Sequence, residues 1–238
     1  TQASFNRVAG RHWLFGTSIK IDTPGFETNE IAQLNGADGI QPTWNVTYRE
    51  TTPNRLFRSY SIRFNQGNEW NFGGDPQTLS AGTNVNLTWA NFWTTSFQVT
   101  HNFRTQSSTL TRGGPLMTSP SSWRGSLNVG NPSTSSTRIS GSVSINSDEL
   151  GGWARNVNLN LSFRPTPRWQ LSAQPSYQRS RDSQQYVTTL SGGREETFGN
   201  RYIFAYIDRT TISAQIRASF TVRPDLNLDV YMEPFAAS

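Results

Sequence analysis

The sequence predicts an all-β fold: an antiparallel, up-and-down transmembrane β-barrel. Three observations predict it. The chain is polar yet rich in aromatics, its apolar residues alternate with period two, and its connections alternate between short and long. Hydrophobic residues make up 34% and the mean hydropathy is −0.59, while aromatics reach 12% with eight Trp. A disordered chain is poor in aromatics. A barrel with one face in lipid and one in water reconciles the numbers, because half its strand residues can be polar. At 238 residues the chain is long enough for one large β unit, and residues 1–238 are read as one barrel domain.

The alternation repeats along the chain. Trp153, Arg155, Val157, Leu159, Leu161 and Phe163 share one parity, against Ala154, Asn156, Asn158, Asn160 and Ser162. Ile139, Gly141, Val143 and Ile145 stand against Ser140, Ser142 and Ser144. Val85, Leu87 and Trp89 oppose Asn84, Asn86 and Thr88, and Leu226, Leu228, Val230 and Met232 oppose Asn227, Asp229, Tyr231 and Glu233. Successive strand side chains point to opposite faces, so each segment has an apolar and a polar side. A soluble sandwich, such as a lectin, shares this pattern. Aromatics at the ends of the apolar faces favour a membrane, since interfacial girdles sit there. Examples are Trp44 with Tyr48, Trp89, Trp123, Trp153 with Phe163, and Trp169 with Tyr177.

In chain order, strands are expected at 11–22, 39–52, 56–72, 79–91, 95–107, 121–131, 135–147, 152–164, 168–189, 200–222 and 226–236. Short turns fall at Thr52 to Arg55, Asn91 to Thr94, Asn131 to Thr134, Arg164 to Pro167 and Arg223 to Asp225. The other connections are Thr23 to Asp38, Gly73 to Thr78, Ser108 to Ser119, Asp148 to Gly151 and Leu190 to Gly199. Every second connection is short, as outer-membrane barrels require, with the short side expected in the periplasm. From Ile212 to Val222 the even parity is purely apolar, and the same parity continues back through Tyr202, Phe204, Tyr206, Asp208 and Thr210. About 9–11 residues of tilted strand cross the hydrocarbon layer. The upper part of the 168–222 hairpin is therefore expected to project beyond the membrane. Eleven strands is an odd count with two free edges, which lipid does not tolerate. Residues 1–8 are read as a possible end of an earlier strand. Missing flanking strands or additional protein chains are expected to close the ring.

Four stretches carry a family resemblance: Leu110 to Met117 (LTRGGPLM), Ser180 to Thr189 (SRDSQQYVTT), Asn200 to Asp208 (NRYIFAYID) and Thr221 to Leu228 (TVRPDLNL). Their order and spacing resemble the large outer-membrane barrel domain of unknown function that commonly follows a carbohydrate-binding family-nine-like domain. The likeness runs from about residue 24 to the end, and its first and third stretches are fairly specific. The resemblance implies location in the outer membrane of a Gram-negative bacterium. It also implies more chain on both sides, so that residues 1–238 are an internal fragment, and a possible glycan ligand through a domain absent here. It implies no activity.

The residues give no catalytic set. His12 and His101 are far apart in sequence, and a metal site needs clustered ligands. Asp148-Glu149 and Glu195-Glu196 are adjacent carboxylates in connections, not a pair held across a cleft. Gly113-Gly114 lacks the strand-to-helix context of a phosphate loop. No cofactor, no metal, no enzymatic activity and no nucleic-acid partner are expected. With no Cys there is no disulfide framework. No stretch is apolar for long enough to form a transmembrane helix.

The charge is what remains. The net charge is +5, and of 21 basic residues only Lys20 is lysine. By parity Arg49, Arg63, Arg104, Arg124, Arg138 and Arg217 point to the lumen, with Asp229 and Glu233 on a later strand. Rings of Arg favour anions in pores; a ladder of Arg–carboxylate pairs that holds the barrel round is the other reading. The loop Thr111-Arg112-Gly113-Gly114-Pro115 is read either as a constriction that brings Arg112 into the lumen or as a rigid outer turn. The expected function is a pore or translocation channel for polar or anionic solutes, surrounded by outer-membrane lipids. The alternative is an anchor or scaffold for a glycan-binding module or a surface complex, without transport.

Overall fold

A computed structural model describes residues 1–23, 39–132 and 134–238. The protein is all-β. Its strands, in chain order, are β1 (Gln2–Arg7), β2 (Trp13–Asp22), β3 (Gly39–Glu50), β4 (Phe57–Trp70), β5 (Pro76–Trp89), β6 (Thr94–Asn102), β7 (Thr105–Ser107), β8 (Met117–Ser119), β9 (Ser122–Gly130), β10 (Thr137–Asp148), β11 (Trp153–Phe163), β12 (Trp169–Ser191), β13 (Asn200–Arg223), β14 (Leu226–Met232) and β15 (Phe235–Ala237). A 3-10 turn, Glu195–Thr197, caps the β12–β13 hairpin.

Thirteen strands form one sheet, ordered β1-β2-β3-β4-β5-β6-β9-β10-β11-β12-β13-β14, with β15 continuing beside β14 along β13. Every pairing is antiparallel and joins strands consecutive in the chain, apart from β13–β15 and from β6–β9, where the β7–β8 ribbon is inserted. The sheet is open. Among the described residues, the outer edges of β1 and β14 have no strand partner.

Three differences separate the observed strands from the expected ones. Residues 2–7 form a full strand, paired with β2 from Gln2↔Lys20 to Arg7↔Phe15. The segment expected at 95–107 breaks after Asn102, and its last residues leave the sheet as β7 to pair with β8, which lies inside the expected connection Ser108 to Ser119. The break coincides with Arg104, whose guanidinium donates to both carboxylate oxygens of Glu149 at 2.9 and 2.7 Å. The segment 226–236 is interrupted at Glu233-Pro234, since proline has no N–H to give the ladder. The connection Thr23 to Asp38 lies outside the described residues apart from Thr23, and the turn at Asn131 to Thr134 lies partly outside them.

Directly paired residues share a face, so the register sorts the whole sheet. One continuous row is Trp13–Tyr48–Ile62–Val85–Phe97–Leu127–Val143–Val157–Tyr177–Ile212. It starts at the first residue of β2 and ends well inside β12 and β13. The drift is the stagger of strands tilted relative to one another's ends. A second row on the same face joins Trp44, Gln66, Ala81, His101, Trp123, Ser147, Trp153, Arg181 and Asp208. Both rows belong to the apolar series, and that face is bare. Among the described residues no hydrophobic side chain is buried, and Trp123 and Ile145 are each 56% exposed.

Candidate functional site: the polar face of the sheet

The opposite face is a ladder of amides and hydroxyls. Asn84 donates to Asn65 Oδ1 at 3.0 Å, Asn156 to Ser144 at 3.0 Å, Ser176 to Asn158 at 2.9 Å and Asn102 to Ser122 at 3.0 Å. These are cross-strand side-chain pairs, a unit of sheet stabilisation. Over Gly130, where no side chain fills the surface, lies a concavity of about 490 Å³. Its polar lining includes Asn86, Ser96, Asn128, Ser140, Ser142 and Asn160.

The alternation expected from sequence places most of the selected charges on this face. Arg49 lies opposite Ser61, and Arg63 between Thr47 and Asn84. Arg124 lies between Thr100 and Asn146. Arg138 and Arg217 share one row, Arg138–Ser162–Ser172–Arg217–Tyr231. Asp229 is opposite Ser219 and accepts its hydroxyl hydrogen bond. Glu233, just past β14, accepts from Gln215 at 3.1 Å and Tyr231 at 2.8 Å.

No Arg–carboxylate ladder forms here among the described residues. Arg63, Arg124, Arg138 and Arg217 make no ion pair with a described carboxylate. Arg63, Arg124 and Arg138 are exposed, and Arg217 lies 5.5 Å from the Tyr231 ring centre. Arg49 is different. Its Nη2 donates to the Gly10 carbonyl at 3.0 Å, which fastens it to the β1–β2 turn.

Two selected residues do not join this face. Arg104 sits in the connection after β6 and closes on Glu149. That guanidinium, with the backbone N–H of Ser121, holds the Glu149 carboxyl down at about 2. Arg112 stands off the sheet with φ 53°, its guanidinium 4.5 Å from the Tyr186 ring centre. Tyr186 pairs with Phe204, which by alternation belongs to the apolar series. The neighbouring Gly114 packs on the Tyr202 ring so closely that a Cβ would collide with it. The Arg112 loop therefore docks against the projecting part of the β12–β13 hairpin, where a cavity of about 660 Å³ separates Pro115 and Leu116 from Arg201 and Phe204.

His12 and His101 remain apart. His12 stacks on Tyr48, and His101 packs between Phe103 and Trp123 with ring centres 4.5 and 4.3 Å away. Among the described residues no cluster of His, Cys, Asp and Glu could hold a metal. Asp148 accepts hydrogen bonds from the N–H groups of Leu150 and Gly152 and from Ser183, so it shapes the β10–β11 turn.

Selection of inward charges passed over a second group, on the apolar series. Arg155 pairs directly with Arg179, and Arg181 with Asp208. The signal was legible as charge on the wrong parity: Arg155 interrupts a run from Trp153 to Phe163 that is otherwise apolar.

No curated protein matches this chain. A family model described as Domain of unknown function (DUF5916) matches residues 1–237, and the chain belongs to that family.

Proposed function

We propose that this chain forms wall strands of a transmembrane β-barrel in the outer membrane of a Gram-negative bacterium, and that its polar face lines a path for polar or anionic solutes. One observation carries the reading: among the described residues, a thirteen-stranded amphipathic sheet buries no hydrophobic side chain on its apolar face. In water such a surface would far exceed the few hundred Å² of contiguous apolar patch usual for a soluble monomer. In lipid it is the expected outer wall. The uninterrupted apolar span of the β12–β13 hairpin, Trp169 to Tyr177 paired with Phe220 to Ile212, matches the length that crosses a hydrocarbon layer. Closure would take strands beyond those described, or partner chains, along the β1 and β14 edges.

On the polar side, unpaired Arg63, Arg124, Arg138 and Arg217 would make the lining favour anions. The neutral amide and hydroxyl ladders would suit polar solutes generally. No enzymatic step enters this reading. Planar-bilayer recording of the full-length protein tests it. Discrete conductance steps with an anion/cation permeability ratio above one are expected. A barrel that inserts but never conducts overturns the solute path and favours the anchor or scaffold role. Recovery in buffer without detergent overturns the membrane reading itself.

A further inference from the structure

On the apolar face, at the level where the band of Val157, Leu159 and Leu161 ends, three arginines, Arg155, Arg179 and Arg181, stand in adjacent rows with one carboxylate, Asp208. Arg155 and Arg179 are direct cross-strand partners. Like charges directly opposite each other destabilise a sheet, so a chain that keeps them needs a compensating anion. Asp208 stands in the neighbouring row, and it is engaged: Arg181 donates to both its oxygens, at 2.9 and 2.8 Å. Among the described residues, Arg155 and Arg179 have no carboxylate partner of their own within ion-pair distance. Both lie over the Trp153 ring, at 5.3 and 5.7 Å from its centre. Their stems thus run along apolar surface, and their heads reach the Trp153 ring in the next row. Two exposed cations thus stand at the upper edge of an apolar wall without a direct ion pair to a described carboxylate.

Immediately below them the wall is not flat. A groove of about 460 Å³, almost wholly apolar, runs over β11, β12, β13 and β15, lined by Val157, Leu159, Pro175, Tyr177, Ile212 and Phe235. Pro175 and Ala214 keep its floor low, where larger side chains would fill it. A cationic pair above a hydrocarbon-lined groove is complementary to one kind of molecule, an anionic headgroup carrying an acyl chain.

We infer that the Arg155–Arg179 pair and the groove beneath it form a binding site for a phosphate-bearing membrane lipid, the phosphate on the guanidinium groups and an acyl chain along the groove. The site rests on the reading of this face as the lipid-facing wall. Guanidinium fits the planar, bidentate geometry of phosphate better than ammonium does, which agrees with arginine at both positions. Arg181, one row higher, is held by Asp208. A soluble phosphate would find the same cations but leave the groove empty.

Native mass spectrometry of the full-length protein, delipidated in detergent, tests the site. The probes are dimyristoyl phosphatidic acid, dimyristoyl phosphatidylcholine and inorganic phosphate. Phosphatidic acid is expected to bind most tightly, and inorganic phosphate at equal concentration is expected not to displace it. Arg155→Gln combined with Arg179→Gln should weaken phosphatidic acid roughly tenfold or more, the scale of losing charge-assisted hydrogen bonds to phosphate. Ala214→Trp should weaken the lipid by filling the groove. Arg168→Gln with Arg223→Gln, at the opposite end, should leave the affinity unchanged. Circular dichroism of each variant separates lost binding from lost folding. Equal affinity for the two lipids, or an unaltered affinity in the Arg155/Arg179 double variant, overturns the inference. Displacement by inorganic phosphate at equal concentration overturns the lipid assignment. Membrane insertion is measured separately by vesicle flotation. A protein that floats but fails the titration refutes this site alone, whereas one that does not float refutes the membrane reading on which it rests.

Discussion

The β9–β11 stretch and the β12–β13 hairpin are built from the same alternation, yet they obey it over different distances. β9, β10 and β11 have 9, 12 and 11 residues, and their mutual register runs without a shift. β12 and β13 have 23 and 24 residues, and their register shifts twice above Asp182. In the lower half of the hairpin the outer series reads Trp169, Leu171, Ala173, Pro175 and Tyr177. Above it the same series reads Arg179 and Arg181, paired with Thr210 and Asp208. The backbone does not change at that row, but the side chains suited to its surroundings do. In the proposed membrane setting the row from Arg155 to Thr210 marks where hydrocarbon gives way to headgroups and water. Beyond it other parts of the chain touch the hairpin at two points, the Arg112 loop on Tyr186 and the Leu150 carbonyl, which accepts from the Tyr206 hydroxyl at 3.0 Å.

The sharpest way to break this comparison is one charge placed on either side of the boundary. Val143→Arg, mid-band on the apolar face, is expected to cost about 2–4 kcal/mol in urea unfolding from vesicles. Tyr206→Arg, above the boundary, is expected to cost less than about 1 kcal/mol, since only an exposed hydrogen bond is lost. Equal costs would mean the medium does not change along the hairpin. Next comes the contrast between the two faces. Arg63→Glu with Arg138→Glu should shift the permeability ratio toward cations without altering vesicle insertion, whereas Arg155→Glu with Arg179→Glu should leave the ratio unmoved. An equal shift from both pairs would refute the assignment of faces.

A smaller effect concerns the cover over the hairpin. Gly114→Ala cannot keep its place on Tyr202, so the loop should lift and trypsin should cut after Arg112 several times faster, with the unfolding midpoint of the sheet unchanged. Adding Tyr202→Ala should slow the cleavage again by removing the collision. The smallest effect is at the Arg104–Glu149 contact, in the connections outside the proposed span. The folded carboxyl is held at about 2 against an ordinary 4.5, so its stabilisation is complete above 4.5 and disappears as the pH falls toward 2. The Ser121 amide, which donates to Glu149 at 3.0 Å, should report this in NMR with a midpoint near 2. A midpoint at the ordinary value would show that the contact does not form in solution.

Much of the sheet was legible because period two is a property of the extended backbone itself. Trp153 to Phe163 declares its faces whatever stands beside it, and the spacing of turns orders the strands as a meander. For the same reason the polar-face positions of Arg63, Arg124, Arg138 and Arg217 could be assigned from parity. The pattern weakened where strands were short or interrupted. Met117–Ser119 is too short to alternate visibly, and Pro234 splits the last strand without disturbing its composition.

Pairing between distant residues was hidden. Arg104 and Glu149 are 45 positions apart, and Arg181 and Asp208 are 27 apart. Nothing local selects either pair. By itself the sequence determined an all-β chain with one apolar and one polar face, because side-chain alternation depends only on the strand's own geometry. Only the tertiary structure decided which arginines are neutralised, which are left open, and that the Arg112 loop leans on the hairpin. Those outcomes depend on the register between separate strands, and register is fixed only when the whole sheet has formed.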